Sequence, residues 1–244
     1  MIGSNTPDPI HNLAVSNFHK RRKKIIFINP SDDFLSAKGD RPPLGLAYLS
    51  AYLKKNNYST FIFDLNHDDW IDTINFIDYT ANNLKDDVYV CWSISTPNYK
   101  QCISQAKEIK CVKNDIILVA GGNHVTDIPD EKLTLETFNF IIRGEGEGAL
   151  LEIVEGKQLE QIVKGIPMPI DEIPYPDYEG LIHMNKYNML IDGLPGAVVL
   201  SSRGCTRACA YCGSAKIKRW RGRSPENVIG EIKLLYEKYG KRGF

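Results

Sequence analysis

The run Cys205-Thr-Arg-Ala-Cys209-Ala-Tyr-Cys212 places three thiols within eight positions, spaced C-x3-C-x2-C. Thiolates are soft ligands, and three on one short stretch suit a soft metal centre. Three rather than four leave one coordination position of the metal free for something else. Gly204 and Gly213 flank the set, and Tyr211 stands just before the third cysteine. Three other uses of the cysteines compete. Cysteine often fills a core as a small hydrophobe, but this stretch is polar and glycine-flanked. Structural zinc takes four ligands, usually as two spaced pairs. No second pair or nearby histidine follows Cys212, and His183 is far upstream. Three close cysteines cannot all pair as disulfides. Zinc therefore stays as the competing metal.

The flanking residues say how such a loop is held. Residues 197–202 (Ala-Val-Val-Leu-Ser-Ser) read as a short apolar strand. Downstream, Ser224 is a helix cap with Pro225 at the first helical position. Val228, Ile232, Leu235 and Tyr239 then give that helix an apolar face. The cysteines are thus expected on a loop leaving the C-terminal end of a strand. Lys216, Lys218, Arg219, Arg221 and Arg223 lie between them and the helix, as a solvated basic loop or a surface for a substrate or reductase.

C-x3-C-x-aromatic-C after a strand resembles the cluster loop of the radical S-adenosylmethionine (SAM) enzymes. The flanking runs Ser202-Arg-Gly-Cys205 and Arg221-Gly-Arg-Ser-Pro-Glu226-Asn-Val-Ile-Gly-Glu231-Ile fit as well. The resemblance implies that Cys205, Cys209 and Cys212 hold a 4Fe–4S cluster whose fourth iron binds the amino and carboxylate groups of SAM. It implies that an electron from the cluster cleaves SAM to a deoxyadenosyl radical, and that Tyr211 packs near the adenine. A reducing partner such as flavodoxin or ferredoxin goes with that chemistry.

Composition bounds the remaining possibilities. The chain has 244 residues, 43% hydrophobic and 25% charged, which is an ordinary soluble profile for one large domain or two small ones. Thirty basic and thirty acidic residues cancel, so no global field points to nucleic acid or an anionic membrane. The longest apolar runs, such as residues 116–120, are strand-sized, and no transmembrane segment is expected. The N-terminus has no apolar signal-peptide core. Bunched cysteines suit a reducing compartment, so a cytoplasmic location is expected.

Along the chain, residues 1–23 read as a poorly structured lead-in ending in a basic run. Apolar strands are expected over residues 24–29, 58–64, 87–95, 115–120 and 138–142. Helices are expected over residues 44–56, 70–84, 97–112 and 129–135, with another running from Gly144-Glu-Gly-Glu-Gly148 to residue 155. Strands alternating with helices predict an α/β, Rossmann-like, doubly wound parallel sheet, and a flavodoxin-like order is expected. Ligands in such sheets sit beyond the carboxyl ends of the strands. That edge collects Asn29, residues 93–96, residues 121–124 and Gly144-Glu145.

This half also resembles the cobalamin-binding domain that precedes many radical SAM enzymes. The matching pieces are Arg41-Pro-Pro-Leu-Gly-Leu-Ala-Tyr-Leu49, Cys91-Trp-Ser-Ile-Ser-Thr-Pro97, Gly121-Gly-Asn-His124 and Arg143-Gly-Glu-Gly-Glu147, in that order. The resemblance implies cobalamin contacts from Ser93, Thr96, Gly121, Gly122, His124, Gly144 and Glu145. One departure stands out. Many such modules carry D-x-H-x-x-G after the first strand, with the histidine on cobalt. Residues 30–39 here contain no histidine, so cobalamin is expected without that ligand, the alternative being a fold that has lost its cofactor. Of the two histidines near strand ends, His124 is the better ligand candidate than His67. The GEGEG run lacks the spacing and strand position of a nicotinamide loop. Cys91, Cys102 and Cys111 read as core or helix-surface residues, the last two on opposite faces of one helix.

Residues 158–165 read as a hairpin or irregular connection, and the proline-rich residues 166–196 as a linker. Domains are therefore expected at 24–165, for the cobalamin-type unit, and at 197–244, for the first strand, cluster loop and helix of a radical SAM β/α barrel. A complete barrel needs on the order of 200 residues or more, so a chain cut early in the barrel is expected. The implied function is the front part of a cobalamin-dependent-type radical SAM enzyme. It would cleave SAM and start radical chemistry, with methyl transfer as one form, on an unknown small-molecule or other substrate. The alternatives are a truncated, non-catalytic cobalamin- or cluster-binding module and a zinc-bound structural domain.

Overall fold

A computed structural model describes residues 22–33, 39–84, 86–128, 131–181, 184–207, 209–212 and 219–244. Nearly all of the expected lead-in, half of the first-strand loop, and Pro129, His183, Gly213, Lys216 and Lys218 lie outside the described residues.

The first strand, β1 (Lys23–Asn29), buries Ile25, Ile26, Phe27 and Ile28 completely. Only a strand covered on both faces can do that, which is why parallel sheets read as continuous apolar runs. β1 pairs in parallel with β2 (Ser59–Asp64) on one side and β3 (Asp87–Ser93) on the other. Beyond β3 follow β4 (Ile117–Gly121), β5 (Phe140–Gly144) and β6 (Ile162–Gly165), giving the order β2-β1-β3-β4-β5-β6. The flavodoxin-like order is borne out, with a sixth strand added. The order reverses between β1 and β3, which marks the crevice where doubly wound sheets bind ligands.

Side chains alternate between the faces with period two. Ile25, Phe27, Tyr89, Cys91 and Val119 pack against α1 (Leu44–Lys55) and α6 (Gly146–Glu155). Ile26, Ile28, Val90, Trp92 and Leu118 pack against α2 (Trp70–Asn83) and α3 (Tyr99–Val112). The Asp69 carboxylate caps α2 by accepting from the Ile71 and Asp72 amides, and Gly156 at φ +77° ends α6.

Three expectations need correction. Residues 158–165 are not a hairpin or irregular connection, because Ile141 to Gly144 offer a free strand edge and Ile162 to Gly165 pair with it in parallel. The helix expected over 129–135 is α5 (Lys132–Thr137), and a further short helix, α4 (Asn123–Asp127), turns directly off Gly122. The strand expected over 197–202 does not form. Among the described residues its backbone bonds are scattered: Gly196 bridges Gly243, the Ala197 amide donates to the Gly243 carbonyl, the Leu200 and Ser201 carbonyls accept from Arg223, and Ser202 alone enters a ladder, opposite Gly222. Without a neighbouring strand the backbone has no ladder to fill, and Ala197, Val198 and Val199 instead pack against the core beside α1 and α6.

The proline-rich connector is itself packed. Ile173, Tyr178 and Leu181 are buried in the same core, and the Asp177 amide donates to the Ala47 carbonyl. After it come a hairpin of β7 (Leu190–Ile191) and β8 (Leu194–Pro195), turned at Asp192-Gly193. Next is a two-residue antiparallel pair, β9 (Ser202–Arg203) with β10 (Arg221–Gly222), and then α7 (Pro225–Tyr239), capped by Ser224. Among the described residues, no helix is long and apolar enough to cross a membrane.

Candidate functional site

The β9–β10 pair closes a strap whose loop carries the three cysteines. Gly204 opens it at φ +84°, where a Cβ would stand 2.3 Å from the Arg219 carbonyl, so only glycine passes. Cys205 and Cys212 are exposed, Cys209 is half-buried, and all three are free thiols. The Cys212 amide donates to the Cys209 carbonyl at 3.0 Å, and the Arg207 amide points at the Cys205 sulfur at 3.4 Å. Tyr211 stands out in solvent. Among the described residues no three metal-ligating side chains converge on one point. The donor set nevertheless fits an iron–sulfur cluster, with three accessible thiols on one glycine-hinged loop. Cys91 and Cys102 are buried in the core, where burial pushes the Cys102 thiol up to about 12 and the Cys91 thiol higher still. They stay protonated and are not ligands. Cys111 is exposed and Cys102 buried, as expected for opposite faces of α3.

The strap is held at its base by charge. Arg203 donates to Glu145 at 3.3 Å and to Glu147 at 2.7 Å, and Arg221 donates to the other oxygen of Glu145. The Arg203 guanidinium also lies 5.1 Å from the Tyr48 ring centre. Burial works against its charge, but the bond and charge of Glu147, followed by the charge of Glu145, more than reverse this and raise its pKa. One step further on, Arg223 pairs with the fully buried Glu231 and donates to the Leu200 carbonyl at 2.8 Å.

The other candidate residues stand along the carboxyl edge of the sheet. Ser93 is paired with Gly121 across β3 and β4. The Ile94 amide donates to the Gly121 carbonyl at 2.8 Å, and the His124 amide to the Ile94 carbonyl at 3.1 Å. Gly122 makes this crossing possible. At φ +100° it lies so close to Ile94 that a Cβ would stand 2.6 Å from both the Ile94 nitrogen and oxygen. Gly122→Ala is therefore expected to lower stability by about 1–3 kcal/mol or more, measured by urea denaturation. An unchanged midpoint would mean that the β4–α4 turn is not strained.

His124 is buried and both ring nitrogens are engaged, Nδ1 with Thr96 Oγ1 at 3.0 Å and Nε2 with Glu131 at 2.8 Å. The Tyr99 ring lies 4.3 Å from it. His67 Nε2 meets the Gly39 carbonyl at 2.8 Å. The His124 imidazole therefore offers no free nitrogen to a metal. Thr126 Oγ1 donates to the Gly122 carbonyl and accepts from the Gly144 amide, which ties the ends of β4 and β5 together. The Ser95 hydroxyl oxygen is buried on this edge with no hydrogen-bond partner among the described residues. An orphaned hydroxyl two residues beyond Ser93, the partner of Gly121 across the sheet, fits an edge shaped for a polar ligand.

Sequence reasoning missed the arginine–glutamate contacts, and it missed Asp64, which is buried and accepts from Asn29 at 2.9 Å and from the Tyr187 hydroxyl at 2.9 Å. No local signal marks partners so far apart. An open cavity of about 610 Å³ is lined by Met184, Tyr187, Met189, Tyr239 and Lys241 among others, and by none of the sheet-edge candidates.

A family profile described as "B12 binding domain" matches residues 31–154. An uncharacterized methyltransferase of Pyrococcus horikoshii is 34% identical over 224 residues, covering 82% of this chain and 47% of the relative. The anaerobic magnesium-protoporphyrin IX monomethyl ester cyclase of Rubrivivax gelatinosus is 29% identical over 250 residues, covering 88% and 43%. The chain thus spans about half the length of these relatives. Among solved structures, the radical SAM methyltransferase TsrM from Kitasatospora setae, with cobalamin and a 4Fe–4S cluster bound, superposes with a TM-score of 0.63 at 15% identity, over 89% of this chain and 46% of that one. The cobalamin-dependent radical SAM enzyme OxsB, with aqua-cobalamin and SAM bound, gives 0.66 at 18% identity, over 87% and 31%. These two likenesses establish a shared fold.

Proposed function

The chain belongs to the B12-binding-domain family, and from that premise we propose that it is the front part of a cobalamin-dependent radical SAM enzyme. In this reading residues 24–165 form the cobalamin unit, 166–196 a packed connector, and 197–244 the opening of the cluster unit. Cobalamin lies along Ser93, Thr96, Gly121, Gly122 and Gly144. Cys205, Cys209 and Cys212 hold a 4Fe–4S cluster, and Tyr211 covers the adenine of SAM. When bound, the cluster supplies the electron for SAM cleavage and cobalamin supplies a carrier for a methyl group.

The observation that carries the reading is the placement of the cysteine strap. Arg203, two residues before Cys205, is anchored on Glu145 and Glu147, directly after the strand that ends beside the paired glycines. The base of the cysteine strap is thus held at the carboxyl end of β5, which supports a site where both groups act together. The residues present bind and orient, and the difficult chemistry belongs to the bound groups. A small-molecule substrate, a soluble reducing partner such as flavodoxin or ferredoxin, and a reducing cytoplasm complete the proposal.

The test addresses cobalt. Residues 30–39 contain no histidine, and His124 is committed through both nitrogens. Titration with aquocobinamide, which lacks the nucleotide base, is expected to shift its visible spectrum. After one-electron reduction the cobalt EPR signal should show no splitting from a nitrogen outside the corrin ring, since any such nitrogen would have to come from the protein. Such splitting would overturn the unligated geometry. Absence of binding by both cobinamide and hydroxocobalamin would leave the fold without its cofactor.

A further inference from the structure

We propose that Glu145 and Glu147 are positioning residues, a rigid acidic bracket on the cobalamin-type unit that holds the cysteine strap closed. The idea deepens the cluster reading and rests on it for its consequence, although the bracket itself is a matter of structure alone. Arg203 and Arg221 are directly opposite one another in the two-residue β9–β10 pair. Like charges opposed across an antiparallel pair repel, and two residues make too short a ladder to persist unaided. Glu145 resolves the repulsion by taking one arginine on each carboxylate oxygen, and Glu147 takes the second amino group of Arg203.

The bracket is stiff because its glycines leave it no room. A Cβ on Gly165 would stand 1.9 Å from the Glu145 carbonyl oxygen, and one on Gly146 would stand 2.9 Å from the Leu49 side chain. Gly144 turns at φ +100° with its own Cβ position 2.9 Å from the Gly165 oxygen. Gly144 and Gly146, together with Gly165, therefore seat the two glutamates between β6 and α1. Glu147 is also nearly buried in the first turn of α6, where the helix N-terminus favours its charge. The motif reads as a socket for two arginines, and the socket sets where the three thiols stand relative to the sheet edge.

The experiment is hydrogen–deuterium exchange on the metal-free chain, comparing wild type with E145Q, E147Q and E145Q/E147Q. Peptides covering 200–204 and 219–224 are expected to exchange about tenfold faster or more in the double variant, while peptides from β1 and β3 keep their wild-type rates. Glu147→Asp should restore protection better than Glu147→Gln. After reconstitution with iron and sulfide, loss of the cluster to a chelator should quicken by a similar factor. Wild-type strap exchange in E145Q/E147Q overturns the bracket. If that variant does not fold, R203Q and R221Q test the same contact from the strap side, with the same two outcomes. If the wild-type chain takes up no iron, the cluster reading fails, and exchange on the metal-free protein still decides the bracket.

Discussion

Replacing Cys205, Cys209 or Cys212 singly by Ala is expected to abolish a 4Fe–4S cluster that the parent chain takes up, at about four irons per chain, on anaerobic reconstitution with iron and sulfide. In the proposed reading each thiol supplies one of three protein ligands, and the sequence of the loop holds no fourth cysteine to replace it. On that reading the exposed Cys205 and Cys212, the half-buried Cys209 and the glycine turn at Gly204 let the thiols converge on a metal. Cys91→Ala serves as the control. That thiol is buried between the sheet and its helices, and burial pushes its pKa far up, so it does not supply a thiolate. The cluster should survive its loss. Iron and sulfide analysis with EPR of the reduced protein reads the result. One tightly bound zinc per chain with no iron would reject the assignment in favour of a structural zinc site.

The second large effect concerns the ion pair behind the strap. Arg223 is 4% exposed and Glu231 0%, and the Tyr178 hydroxyl donates to the same carboxylate at 2.6 Å. Removing one member leaves the other charged, buried and unpaired, which costs roughly 3–5 kcal/mol. Glu231→Ala is therefore expected to lower the melting temperature by about 10 °C, given the usual entropy of a chain of this size. Arg223→Met combined with Glu231→Leu should recover much of that loss, because desolvating two charges offsets most of their attraction. A double-mutant cycle by thermal and urea denaturation measures both. Additive single and double effects would show that the pair is not coupled.

The same network has a pH signature. Tyr178 has its pKa raised, first by burial and then by the charge of Glu231. A group whose folded pKa is raised stabilises the fold fully below its unfolded value. For tyrosine that contribution fades as pH climbs past about 10.

Much of this protein was legible in the chain because the signals are local. The buried run of β1, the helical period of α1, α2 and α3, the Ser224-Pro225 cap and the cysteine spacing each need only neighbouring residues to be read. The missing histidine of residues 30–39 is likewise a matter of the sequence alone. What required the tertiary structure was pairing between distant residues. Ile162-Val-Lys-Gly165 is too short and too plain to declare itself a strand, and becomes one because β5 presents an open edge. Residues 197–201 are largely apolar and strand-like, yet no neighbouring strand among the described residues runs beside them, and the ladder begins only at Ser202. His124 looked available as a ligand until Thr96 and Glu131 took both its nitrogens. Glu145 and Arg203 are 58 residues apart, and their charges carry no mark of a partner until the fold sets them 3.3 Å from one another. Periodicity and spacing are written along the chain, whereas a charge or a strand edge acquires its role from whatever folding places beside it.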